Sequence, residues 1–222
     1  MRPRQVSRAS VDPPVSCGTT RLVTQAGQGA RFGQTGRVTT SHDATPDPGH
    51  GPYRVMTVCT GNICRSPMAE IVLRDRFEAA GLGGRVVVDS TGISAEEHGN
   101  PVDRRARRVL AEHGYDTGDG HHARQVRASD LVSRDLVLPM TSQHARALRR
   151  MHGDGNVRMY RTFDPAAPVV PRERAERDEH LLDIDDPWYG GMQDFEDCLA
   201  QVEAAADGVV EFVRGELARR QA

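Results

Sequence analysis

The run from residue 53 to 67 restricts this chain more than any other part of it. Residues 53–58 are short, apolar and β-branched, the composition of a buried strand. Cys59-Thr60-Gly61-Asn62-Ile63-Cys64-Arg65-Ser66-Pro67 follows at once, and Pro67 suits the first turn of a helix. Ala69, Val72, Leu73, Phe77 and Ala80 then recur on one helical face as far as Gly81, a helix terminator. The segment reads as strand, tight loop and helix.

The same alternation continues downstream. Strands are expected at residues 85–89, 135–140 and 157–161, and helices at 103–113 and 141–151. The last helix has the plainest pattern. Phe195, Leu199, Val202, Ala206, Val209 and Val213 make a core-facing stripe that leaves Glu196, Glu203 and Glu211 to face water. Alternating elements predict an α/β domain with three α/β/α layers and a four-stranded parallel sheet, with the loop of residues 59–66 between first strand and first helix. Only residues 164–189 break the periodicity at length, and irregular segments of that size in compact domains are often functional.

The loop has a chemistry of its own. A chain leaving a strand and entering a helix turns several backbone N–H groups toward one point, where the helix dipole adds positive charge. Gly61 permits close approach and Asn62 tolerates the left-handed conformation that convergence requires. Arg65 can offer a planar, two-pronged contact to an oxyanion. Cys59 opens this cradle, whose field favours the thiolate, the nucleophilic form of the side chain.

Composition separates the chain into two parts. Residues 1–51 hold 7 Gly, 5 Pro and a single aromatic, Phe32, with no sustained period, and read as a disordered Gly/Pro-rich extension. Residues 52–222 are expected to form the folded domain. The chain contains no Lys, and the 23 Arg of this part stand against 28 acidic residues, a net charge of −5. That balance argues against a nucleic-acid partner held by phosphate contacts. Neither a membrane span nor an export signal is evident, so a cytoplasmic protein, monomeric or weakly dimeric, is expected. Cys17, Cys59, Cys64 and Cys198 are too scattered for a disulfide framework or a metal site, and no metal or other cofactor is expected.

The string from Cys59 to Pro67, with its flanking strand and helix, resembles the active-site loop of the low-molecular-weight protein tyrosine phosphatases, a cysteine-dependent family with bacterial members. Asp186-Pro187-Trp188-Tyr189 resembles the family's downstream general-acid run. Asp89-Ser90, Gly99-Asn100-Pro101-Val102-Asp103 and His121-His122-Ala123-Arg124-Gln125 resemble further family segments, and the likeness spans about residues 53–214. It implies hydrolysis of phosphotyrosine in proteins, and of small aryl phosphates, through a phosphocysteine on Cys59. Arg65 would bind phosphate and Asp186 would act as general acid and base. Thr60, Gly61, Asn62, Ile63, Cys64 and Ser66 would line the phosphate site, Trp188 and Tyr189 would wall it, and Ser90 and His121 would support Asn62 from behind. Cys64 reads either as packing or, as the resemblance implies, as a reversible disulfide partner of Cys59 under peroxide.

Three positions depart from the family pattern. Glu96, followed by Glu97, stands where an aromatic residue usually borders the mouth, which predicts a preference against acidic phosphopeptides. Thr141 and His144 replace a more usual Asp and Asn. Two other functions compete. Arsenate reductase shares the fold and loop but needs further cysteines for a disulfide relay, and beyond the loop the domain has only Cys198. A non-catalytic phosphate-binding module would lack a nucleophile or an acid, and neither is missing.

Overall fold

The computed structural model describes residues 51–222; the expectation of disorder for residues 1–50, and Cys17 with it, lies outside the described residues. Strand β1 (Tyr53–Cys59) is the middle of the sheet, with β2 (Val86–Gly92) on one side and β3 (Leu136–Pro139) on the other, both parallel to it. Around it lie helices α1 (Arg65–Ala79), α2 (Arg104–Glu112), α3 (Ala128–Ser133), α4 (Ser142–His152), α5 (Ala175–Asp178) and α6 (Met192–Arg220).

Successive strand residues point to opposite faces, and that period of two divides the interior. Tyr53, Val55, Leu136 and Leu138 pack in one core with residues of α1, α2 and α6, among them Phe77, Leu110 and Phe195. Met56, Val58 and Val137 pack in the other with Leu131 of α3 and Ala145 and Leu148 of α4. Flanked on both sides and covered on both faces, β1 is fixed along its length, and Cys59 stands at its carboxyl end.

Among the described residues the sheet has three strands rather than the four expected. At residues 157–161 only Val157 pairs, in a single parallel bridge to Val137. The Arg158 N–H reaches the Val137 carbonyl at 3.0 Å, and the chain then coils into a 3₁₀ turn, Tyr160–Phe163. The cause is Tyr160. Its fully buried ring belongs to the α6 side of the sheet, and its hydroxyl donates to the Val202 carbonyl at 3.1 Å, which pulls the backbone off the sheet edge. The stripe on α6 is buried as expected, but Glu196 and Glu203 are half-buried and tied to neighbours. Glu203 accepts from the Tyr115 hydroxyl at 2.6 Å, and Glu196 meets His113 at 2.8 Å.

The irregular segment after Asp164 is also anchored. Glu179 is buried and takes both terminal nitrogens of Arg149 on α4 at 2.8 Å, a planar pair with two parallel hydrogen bonds. Asp183 accepts from the Ser142 N–H at 2.6 Å, at the start of the same helix. Both contacts hold the chain that leads to Asp186.

Gly208 lies where α6 crosses the 3₁₀ turn, and a Cβ there would stand 2.1 Å from the Phe163 carbonyl oxygen. Backbone cannot yield as a flexible side chain does. Gly208→Ala is expected to cost about 1–3 kcal/mol, read as a lowered midpoint in thermal unfolding; an unchanged midpoint would show that α6 does not need this close approach.

Candidate active site

Cys59 is buried, and two groups meet its sulfur: the Asn62 N–H at 3.3 Å and the Ser66 hydroxyl at 3.1 Å. The loop can fold back on the thiol because Asn62 adopts φ +62°, the left-handed region that disfavours most side chains. Its neighbours fix it there. The Asn62 side-chain amide donates to Ser66 at 3.1 Å and Ser90 at 2.8 Å, its carbonyl oxygen Oδ1 accepts the Arg124 N–H at 3.0 Å, and His121 Nε2 meets its backbone carbonyl at 2.8 Å. The backbone N–H groups of Gly61, Ile63 and Cys64 have no acceptor among the described residues, so they remain available to an anion.

Arg65 begins α1 and is almost wholly buried, at 4% exposure. Its Nη1 donates to the Ile184 carbonyl at 3.1 Å, and its Nη2 to the Thr60 hydroxyl at 3.3 Å and the Asp186 carboxylate at 2.5 Å. Asp186 caps the turn Pro187–Tyr189 by accepting the Trp188 N–H at 3.2 Å, and its side chain is about one-third exposed. Arg105 steadies this wall: its guanidinium donates to the carbonyls of Trp188 at 3.1 Å and Gly190 at 3.0 Å and lies 5.3 Å from the Trp188 ring centre.

Together these residues enclose a cavity of about 100 Å³ lined by Cys59–Gly61, Ile63–Arg65, Asp186, Trp188 and Tyr189. Glu96 and Glu97 complete its rim, and Glu97 lies over Gly61, where a Cβ would meet its side chain at 2.8 Å. Ser66, Asn62, Ser90 and His121 stay outside the cavity and act on it through the contacts given above. A roomier space of about 640 Å³ between α1 and residues 116–124 is lined by no cysteine among the described residues, and Ser90 and His121 form part of its wall. Cys64 is buried against the cavity, and burial, reinforced by Asp103, holds its thiol in the protonated form. Cys59, Cys64 and Cys198 are free thiols.

The chain matches the family model described as low molecular weight phosphotyrosine protein phosphatase over residues 54–220. The chain belongs to that family. Among its relatives, a low molecular weight protein-tyrosine-phosphatase of Streptomyces coelicolor is 46% identical over 174 residues, 77% of this chain and 99% of the relative. Low molecular weight protein-tyrosine phosphatase A of Mycobacterium tuberculosis is 41% identical over 169 residues, 76% and 96% of the two chains. The crystal structure of YfkJ from Bacillus subtilis superposes with a TM-score of 0.66 at 27% identity, covering 76% of this chain and 98% of that one.

Several contacts of this phosphatase's site had no signal in the sequence, which marked Arg124 only as part of a family-like segment and His144 only as a departure from the family pattern. A Cβ on Gly92 would lie 2.5 Å from the Thr60 carbonyl oxygen, so only glycine lets β2 run beneath the loop. Arg124 acts through its backbone, while its side chain is held by Asp89 at 2.6 Å and Asp130 at 3.0 Å. His144 is buried with Nε2 3.0 Å from the Thr60 hydroxyl. Burial, together with the nearby Arg65 charge, pushes its imidazole down to about 3. An unfolded histidine takes up a proton near pH 6.5, one that the folded chain refuses, so this group lowers stability as pH falls from about 6.5 toward 3. His144→Leu is expected to flatten the decline in unfolding free energy between pH 7 and pH 5, measured by denaturant titration; parallel curves would show that His144 is not the group responsible.

Proposed function

We propose that this chain is a protein tyrosine phosphatase in which Cys59 is the nucleophile, Arg65 the phosphate anchor and Asp186 the general acid and base. The observation that carries the reading is the convergence of thiol, guanidinium and carboxylate on one small cavity whose floor is a loop of free amides. The Cys59 thiolate attacks phosphorus while Asp186 gives its proton to the departing phenol oxygen, leaving a phosphocysteine. Water then hydrolyses that intermediate, with Asp186 taking its proton, and the Ser66 hydroxyl at 3.1 Å eases departure of the sulfur. Loop amides and Arg65 hold the equatorial oxygens through both steps. Trp188 and Tyr189 wall the cavity and suit an aromatic phosphate ester.

The pair between Arg65 and Asp186 adds a condition. Both an incoming phosphate and Asp186 need the same guanidinium edge, so substrate displaces the carboxylate from its cation. The partner this reading implies is a phosphotyrosine-bearing protein. No helix of the described residues is long and apolar enough to cross a membrane.

The direct test is turnover of a chromogenic aryl phosphate near pH 6 under reducing conditions with chelator present. Cys59→Ser is expected to abolish activity and Asp186→Asn to lower kcat by about 10²–10⁴-fold, while inorganic phosphate binds Asp186→Asn more tightly than wild type. Turnover that survives Cys59→Ser would reject the mechanism. The acidic rim supplies a second expectation. Replacing Glu96 and Glu97 by Gln should raise kcat/KM several-fold for phosphopeptides with acidic flanks, most strongly at low salt, and leave small aryl phosphates nearly unchanged. Equal effects on acidic and basic peptides would remove the rim from any role in selection.

A further inference from the structure

We propose that His144 is a positioning residue for Arg65, acting through the Thr60 hydroxyl. The proposal rests on the phosphatase reading only in naming phosphate as the anion that Arg65 is positioned to receive. Thr60 is the hinge of the arrangement: its hydroxyl accepts Arg65 Nη2 at 3.3 Å and shares a hydrogen bond with His144 Nε2 at 3.0 Å. His144 sits in the first turn of α4, whose start is fixed from both sides. Thr141 accepts the His144 N–H at 3.3 Å, and Ser142 donates its N–H and hydroxyl to Asp183 at 2.6 and 3.3 Å. Asp183 adjoins Ile184, whose carbonyl receives the other end of the same guanidinium at 3.1 Å. One helical turn thus grips Arg65 by two routes, through Thr60 and through the segment that carries Asp186.

Packing alone does not account for a histidine here. Its Nδ1 is buried without a hydrogen-bond partner among the described residues, a defect that an apolar side chain of similar size would avoid. Charge explains the choice. A carboxylate at this place would compete with phosphate for Arg65, and a permanent cation would repel Arg65 from its seat. Imidazole kept neutral by burial and by Arg65 offers a hydrogen bond and neither penalty.

The test is a double-mutant cycle on His144→Leu and Thr60→Val, which keep volume and remove the polar contact. Inorganic phosphate binding is read by calorimetry, and KM and kcat with a small aryl phosphate. Each single change is expected to weaken phosphate binding about fivefold, with KM rising more than kcat falls, and the double variant should be no worse than about twice the weaker single. His144→Gln, whose amide reaches the place of Nε2, should restore affinity to within about twofold. Losses that multiply, or a His144→Leu protein that is less stable yet binds phosphate as wild type does, would overturn the proposal. Calorimetry needs no turnover. A coupled cycle in a protein without Cys59-dependent activity would sink the phosphatase reading and keep this one, and an uncoupled cycle in an active enzyme would do the reverse.

Discussion

The site depends on one strained backbone position. A non-glycine residue in the left-handed region costs on the order of 1–2 kcal/mol, and Asn62 stays there because its side chain and carbonyl make four hydrogen bonds, to Ser66, Ser90, Arg124 and His121. At about 1 kcal/mol each, they outweigh the strain. The partners come from α1, which follows the loop directly, and from β2 and the segment before α3, so the loop keeps its shape only while two distant parts of the chain stay packed against it. Its free amides, and the Asn62 N–H on the Cys59 sulfur, follow from that single conformation.

Arg65 shows the same division between buried support and exposed function. The guanidinium is removed from water, which is costly for a charge, and is repaid in neutral oxygens from Ile184 and Thr60 and in the Asp186 carboxylate. The neutral contacts hold its direction. The charged contact, to Asp186, is the one that lies at the cavity, so the resting site carries its own anion.

Much of this was legible in the sequence because local and global signals agree. Residues 53–67 can be little other than strand, loop and helix, and the stripe on α6 is buried as its spacing demands. Legibility fails where a tertiary contact outweighs local pattern. Residues 157–161 have the composition of a strand, yet burying Tyr160 beside Val202 ends pairing after Val157. Helix α3 passed unnoticed because only Leu131 of its six residues is buried, too little for any periodicity. The Cys59–Pro67 string and the Asp186–Tyr189 run were readable as residue types in fixed order, and the structure brings them to one cavity. Gly92, the Arg124 backbone and the contact of His144 with Thr60 were not, since each depends on which segment lies beneath the loop rather than on any neighbour in the sequence.

The central place of β1 has a consequence for synthesis. Its carboxyl end carries Cys59, but its lateral partners lie at Val86–Gly92 and Leu136–Pro139, and the carbonyl and carboxylate that seat Arg65 come from Ile184 and Asp186. Contacts so far apart along the chain close late, because each loop must be ordered before it is rewarded. A ribosome therefore exposes the reactive thiol long before the residues that restrain and complete it have emerged. For that interval Cys59 is a cysteine in an unfinished strand, and its cavity can close only after Asp186 has emerged.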